Sequence, residues 1–133
     1  MVGIGPMNSP VKSEVRVVAD AERNLLKFSF SGDVGRAEIE RFEQDVEAAL
    51  ATMPRGYALL TDLTHLKSMQ LLCVPYIERT MDRNRTCGIA RIVRVIPNRR
   101  KDIGFNIMSI FHYPRGMQII TCDTMAEAER ALR

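Results

Sequence analysis

The side chains best suited to chemistry in this chain are two histidines and three cysteines. His65 stands close to Asp62, a pair that is able to do acid–base catalysis but more often forms a hydrogen bond within a loop. His65 and His112 fall on different loops, with no cysteine or acidic residue at metal-ligand spacing, so we predict no metal site. The sequence also has no nucleophile paired with a base and no phosphate-binding glycine loop. It therefore predicts a protein without catalytic residues and without a cofactor.

The cysteines and the composition indicate where the protein acts. Cys73, Cys87 and Cys122 are odd in number, which favours reduced thiols in the cytoplasm. Cys73 falls near a predicted helix start, where a thiol can be reactive, although a small buried hydrophobic residue is the commoner role. No apolar run approaches the roughly 20 residues of a membrane span, and the N-terminus has no secretory signal pattern. We expect a flexible segment over residues 1–12 and a single cytoplasmic domain over residues 13–133.

A basic stripe runs through the second half of the sequence. Between Arg79 and Lys101 there are eight basic residues and one acidic residue, whereas the segment Glu38–Glu47 is acidic. Such a stripe binds phosphates or an acidic partner surface, or it simply forms a solvated helix face and strand ends. The candidate anion contacts are Arg79, Arg83, Arg99 and Arg100. Aromatic residues that stack on bases do not alternate with these arginines, so nucleic acid is not a predicted partner.

The first half of the chain is typical of a hairpin, a helix and a buried strand. Glu14–Ala19 and Leu26–Ser31 alternate apolar and polar residues, which predicts a hairpin of two antiparallel strands. A Gly32–Asp33 break is expected to end the second strand. From Ile39 to Met53, apolar residues recur every three or four positions, as they do on one face of a helix. Tyr57–Leu63 is an apolar strand without polar alternation, as expected for a strand covered on both faces.

The second half continues the alternation of strands and helices. A helix that starts near Val74 and a buried strand over Ile89–Ile96 complete a parallel βαβ crossover. A third helix is predicted over Arg99–Phe111, a strand over Met117–Cys122, and a final helix that opens at Thr124. The pattern predicts an α/β fold with a mixed, mostly parallel central sheet of four to five strands, an N-terminal β-hairpin and about four helices.

The order of these elements and four short motifs resemble the STAS domain of sulfate transporters and anti-sigma factor antagonists, which has a SpoIIAA-like fold. Phe30–Val34 is similar to that family's Leu-x-Gly-Glu-Leu strand end, and Thr61–Thr64 is similar to its Asp-Leu-Ser turn. Val95–Pro97 takes the place of its Val-Asn-Pro strand end. Cys122–Ala128 resembles its C-terminal Phe-Asp-Ser-x-Glu-Glu-Ala motif. The resemblance covers nearly the whole chain, from about residue 15 to residue 132.

The sequence departs from this family at one functional position. The resemblance implies an Asp-Ser-Ser/Thr-Gly motif just before the second helix, where a partner kinase phosphorylates a hydroxyl. Leu71, Leu72 and Cys73 stand there instead. The leucines carry no hydroxyl, so we predict that the phosphoswitch is lost. Thr64 and Ser68 lie a few residues upstream in the same loop and are the remaining phosphosite candidates, the alternative being ordinary surface hydroxyls.

The candidate partner-binding loop follows the third strand. Partners and ligands of open α/β sheets engage the carboxyl ends of the strands, and apolar residues that stay outside the core mark an interaction surface. The predicted contact residues are Lys67, Ser68, Met69, Leu71, Leu72, Cys73 and Tyr76. Simple packing in the core is the alternative role of this stretch.

Two functions remain open. The resemblance implies a non-catalytic regulatory protein-interaction module, like an anti-sigma factor antagonist, whose partner is another protein such as an anti-sigma factor, a kinase or a signalling protein. The alternative is a small anionic ligand- or lipid-binding domain on the same scaffold, with the apolar loop as a lid and the arginines as anion contacts. An N-terminal strand at the sheet edge would also allow two copies to pair as a homodimer.

Overall fold

The computed structural model describes residues 12–96 and 113–133. These ranges form a sheet with the strand order β1-β2-β3-β4-β5, namely Glu14–Asp20, Leu25–Val34, Ala58–Met69, Arg91–Val95 and Gln118–Cys122. Strands β1 and β2 are antiparallel, whereas the other neighbouring pairs are parallel. The described helices are α1 (Arg36–Leu50), α2 (Val74–Thr86) and α3 (Met125–Ala131), and a 3₁₀ turn covers Leu71–Cys73.

The architecture confirms the predicted mixed α/β fold with an N-terminal hairpin and a mostly parallel sheet, which has five strands. The expected number of helices, about four, is too high for the described ranges, which contain three α-helices. The helix predicted over Arg99–Phe111 and the flexible segment predicted over residues 1–12 lie almost wholly outside the described residues. None of the three described helices is long and apolar enough to cross a membrane.

One face of the sheet packs against α1 and α2 and forms the main core. Alternation along β2 places Leu26, Phe28 and Phe30 on this face, as predicted, and all three are buried. The ring of Phe42 on α1 lies edge-on to Phe28, with 4.9 Å between ring centroids, and 5.1 Å from Phe30. The apolar stripe of α1 is therefore buried against the hairpin, where aromatic pairs of this geometry add to the stabilisation from burial.

The opposite face of the sheet is covered by α3 over β4 and β5. Ala128 of α3 packs with a smaller cluster that includes Leu60, Val93 and Cys122. Thr124 begins this helix as predicted, because its hydroxyl accepts a hydrogen bond from the backbone N–H of Glu127 at 3.2 Å.

Strands β2 and β3 are longer than the sequence predicted. The expected break at Gly32–Asp33 is wrong, since β2 continues to Val34, and β3 extends beyond Leu63 to Met69. Gly32 adopts a φ of +70°, and a register shift follows it, so the two strands stay paired through this irregularity. The extension carries the carboxyl ends of both strands to the start of α2, where the candidate site lies.

Candidate functional site

The segment from Lys67 to Tyr76 is regular structure rather than a loop, which corrects the sequence-based prediction. Lys67, Ser68 and Met69 end β3, Leu71–Cys73 form the 3₁₀ turn, and Tyr76 belongs to the first turn of α2. The prediction failed because the pairing with β2 continues to Met69. Helix α2 does begin at Val74, with Pro75 in its first turn, as predicted.

Backbone hydrogen bonds hold this segment against the end of β2. The N–H of Gln70 donates to the carbonyl oxygen of Val34 at 3.0 Å, and the N–H of Cys73 donates to the carbonyl oxygen of Gln70 at 2.9 Å. The side chain of Gln70 covers Gly35, where an added Cβ would lie 3.2 Å from its amide carbon. The 3₁₀ turn is therefore fixed in position before any partner arrives.

Leu71 projects from this fixed turn into solvent, with 87% of its surface exposed. Leu72, Met69 and Tyr76 are partly buried and pack against the main core. Among the described residues, Leu71 and Val18 are the large hydrophobic residues that stand exposed. Of the two adjacent leucines, Leu71 is the one whose side chain stands largely in solvent, whereas Leu72 is only partly exposed.

Cys73 is fully buried, so it cannot present its side chain to a partner as predicted. Its thiol lies 3.7 Å from the carbonyl oxygen of Val34 and anchors the turn. Burial raises the pKa of the Cys73 thiol, with a further contribution from the nearby Glu38 carboxylate. A protonated, enclosed thiol agrees with the role of a small hydrophobic residue rather than a reactive one.

The two candidate phosphosites, Thr64 and Ser68, lie on β3 rather than in the loop that the sequence predicted. The hydroxyl of Thr64 donates to a carboxylate oxygen of Asp62 at 2.5 Å, and its N–H donates to the same atom at 3.0 Å. The hydroxyl of Ser68 donates to Asp33 at 2.6 Å, across the paired ends of β2 and β3. Both hydroxyls are exposed, but each donates to a carboxylate. The negative charge of that carboxylate would repel a phosphate attached to the hydroxyl.

Two of the candidate anion contacts already hold carboxylates from α1. The guanidinium of Arg79 donates to both oxygens of Glu43, at 2.7 and 3.2 Å, and lies 4.5 Å from the centre of the Tyr76 ring. The hydrogen bond to Glu43 raises the pKa of Arg79. Arg83, one turn further along α2, forms an ion pair with Glu47. The other two candidates, Arg99 and Arg100, lie outside the described residues.

Sequence reasoning noted the acidic first helix and the basic stripe but missed that they pair with each other. The signal was present, because Glu43 and Glu47 are four residues apart on α1, and Arg79 and Arg83 are four apart on α2. This matched spacing is what two packed helices require for a ladder of ion pairs. All four side chains are partly or largely exposed, so the ladder aligns the helices more than it stabilises them.

The remaining candidates for chemistry do not assemble into a site. Asp62 binds Thr64, and His65 is exposed on β3 opposite Ser31. Within residues 12–96 and 113–133, no three histidine, cysteine or acidic residues lie close enough together to hold a metal ion.

Three cavities and grooves in the described part of the chain are lined by residues other than 67–76. The one in the main core measures about 40 Å³ and borders the buried side chains of Arg94 and Tyr113. A typical small-molecule site encloses roughly 300–1,000 Å³, so this cavity offers too little room for one. Sequence reasoning counted Arg94 as part of the basic stripe, but it did not predict that this side chain would be buried in β4.

No protein-family model matches this sequence, and no curated protein matches it either. The fold, in contrast, has clear likenesses among solved structures. A DUF3478 family protein from Shewanella loihica with a SpoIIAA-like fold superposes with a TM-score of 0.72 at 14% identity, covering 92% of this chain and 96% of that chain.

Two further structures carry regulatory names. The phosphorylated form of the Bacillus cell fate determinant SpoIIAA has a TM-score of 0.60 at 14% identity, covering 90% of this chain and 99% of that chain. An anti-sigma factor antagonist from Mycobacterium paratuberculosis has a TM-score of 0.56 at 20% identity, covering 92% of this chain and 94% of that chain. At these identities the likenesses show the fold alone: the chain has a SpoIIAA-like fold, as the resemblance implied.

Proposed function

We propose that this protein is a non-catalytic regulatory module of the cytoplasm that binds a partner protein through the surface around Leu71. The SpoIIAA-like fold, shared with an anti-sigma factor antagonist, supports a regulatory role. The free thiols of Cys73, Cys87 and Cys122 suit a reducing compartment. The proposal rests on the 87% exposure of Leu71. The backbone beside Leu71 is held in place by a hydrogen bond to β2.

The neighbourhood of Leu71 has the composition of a binding surface. A single exposed leucine is common on any protein and means little alone. Here Leu72 and Tyr76 lie partly exposed along the same turn and the helix that follows, and Arg79 stacks on the Tyr76 ring. Tyrosine and arginine are the residue types that dominate interface energetics, and a preorganised turn loses little conformational entropy on binding. Burying the Leu71 side chain contributes roughly 1.5–3 kcal/mol to such a complex.

The module works without a phosphoswitch in this proposal. Leu71 and Leu72 occupy the turn that leads into α2, where a phosphate would be favoured by the helix N-terminus, and neither has a hydroxyl. The nearby hydroxyl of Ser68 donates to Asp33, whose carboxylate would repel a phosphate at that position. Regulation would therefore act through the partner rather than through phosphorylation of this chain.

A ligand- or lipid-binding function has weaker support. Such a function predicts a deep pocket beside Lys67–Tyr76, and the three cavities and grooves described above lie elsewhere. The charges of Arg79 and Arg83, its proposed anion contacts, are balanced by Glu43 and Glu47.

Affinity purification of the tagged full chain from its source cell, read by mass spectrometry, tests the proposal. We expect the wild type to capture a partner protein that Leu71→Asp loses at least about tenfold, because a carboxylate cannot enter an apolar interface uncompensated. The matched control is Ala51→Asp, an exposed site just after α1 at the opposite end of the sheet. Circular dichroism should show all three chains folded. Equal capture by Leu71→Asp, or no protein retained by wild type and control, would refute the proposal.

A further inference from the structure

The outer edge of β1 is open within the described part of the chain. Strand β1 pairs with β2 on one side, and no described strand pairs with its other side. Arg16, Val18 and Ala19 are exposed along it, with Val18 at 53%. A groove of about 590 Å³ beside β1 is lined by residues of that strand and by residues of α1 such as Glu38 and Arg41. An open edge of this kind is a template for another strand.

The charges on β1 select among the ways in which two copies can pair. A two-fold axis perpendicular to the sheet brings the β1 strands together antiparallel and places one residue opposite its own counterpart. Three such registers pair at least five residues of β1. If Arg16 lies at the centre of the pairing, the two copies of Arg16 face each other and repel. If Val17 lies at the centre, Glu14 of each copy faces Asp20 of the other, which is again a contact between like charges. Centring on Val18 opposes Arg16 to Asp20 twice, with no like charges facing each other.

We propose that this protein forms a homodimer through antiparallel pairing of its β1 strands about Val18. The pairing covers residues 16–20 of each copy, a length of about 17 Å that is usual for a strand. Val18 of each copy meets its counterpart on the sheet face away from α1, and Val17 meets Ala19 on the face toward α1. The two copies then share one continuous ten-stranded sheet, formed from the five described strands of each.

A second copy explains the strand better than an unrelated strand does. Charged residues normally protect an edge from pairing with other chains. On β1 the charges repel each other in the registers centred on Arg16 and Val17 and attract each other in the register centred on Val18. Such a pattern is expected for an edge that pairs with a second copy of itself. The pairing is isologous and uses up both β1 edges, so it closes at two copies through this edge. Arg16 already lies 3.3 Å from Glu14 of its own strand, but both side chains are exposed, and such a pair restrains them only weakly.

The proposal is tested with two opposite substitutions at the centre of the pairing, Val18→Lys and Val18→Asp. Because residue 18 faces itself, each variant places two like charges in contact. The dimer dissociation constant should rise about tenfold or more, as measured by sedimentation equilibrium. An equimolar mixture of the two variants places opposite charges in contact, and it should recover a species of twice the 15.1 kDa chain mass.

The mixture separates loss of pairing from loss of folding, since a misfolded chain would not be rescued by its oppositely charged partner. Ala90→Asp is the matched control, because Ala90 is exposed just before β4, which β2 and β3 separate from β1, and this variant should dimerise as the wild type does. A wild-type chain that stays monomeric at high micromolar concentration would overturn the proposal. So would a dimer that Val18→Lys leaves unchanged, or a mixture of the two variants that remains monomeric.

Discussion

The two adjacent leucines of the 3₁₀ turn offer a direct test of which side chain is free to bind. Fully burying a leucine is worth roughly 1.5–3 kcal/mol, and Leu71 is 87% exposed, so Leu71→Ala should cost only about 0.2–0.4 kcal/mol of unfolding free energy. Leu72 packs partly against the main core, so Leu72→Ala should cost about 1–2 kcal/mol. Leu59 is 4% exposed, and Leu59→Ala sets the upper reference at about 2–5 kcal/mol.

The measurement is equilibrium unfolding in urea, followed by far-UV circular dichroism and by tyrosine fluorescence, since the chain has no tryptophan. Coincident transitions from the two signals justify a two-state analysis. A loss above about 1 kcal/mol for Leu71→Ala would mean that this side chain is packed in solution, given that burial scales with area. The binding surface proposed around Leu71 would then be untenable. Equal losses for the two leucines would contradict the geometry of the turn itself.

Three further changes probe polar groups of the fold. Tyr57→Phe should lower the unfolding free energy by about 1–3 kcal/mol, because the phenol donates to Asn84 at 2.6 Å and its loss leaves a buried amide oxygen without a donor. An unchanged urea midpoint would contradict that hydrogen bond. Burial raises the pKa of both Tyr57 and Tyr113 above the ordinary 10.0, so stability should be insensitive to these groups below pH 10. The unfolding free energy should fall above pH 10, because the tyrosines of the unfolded chain release their protons at lower pH than those of the folded chain. A urea midpoint that stays constant from about pH 9 to about pH 11 would refute this. Ser68→Asp should cost about 0.5–1 kcal/mol by facing the Asp33 carboxylate, whereas Ser68→Asn keeps a donor and should cost less. Equal urea midpoints for the two variants would argue against the repulsion.

Much of the fold was predictable because local periodicity reports directly on burial. A repeat of two placed Phe28 and Phe30 on one strand face, and a repeat of about 3.6 placed Phe42 on the facing side of α1. Thr124 with Glu127 predicted the start of α3, because the cap involves only neighbouring atoms. The length of β2 was not predictable, since its last residues are held by pairing with a strand more than 30 residues away.

The candidate site was predictable in location but not in detail. The carboxyl end of β3 and the start of α2 at Val74 followed from the element order and from Pro75. The sequence by itself also determined the absence of a hydroxyl at the 3₁₀ turn. Only the tertiary structure decided that Leu71 faces solvent while Leu72 and Cys73 turn inward, and that Arg79 meets Glu43. Composition and periodicity depend on neighbours along the chain, whereas the exposure of adjacent leucines and the partner of a long side chain depend on which distant elements pack together.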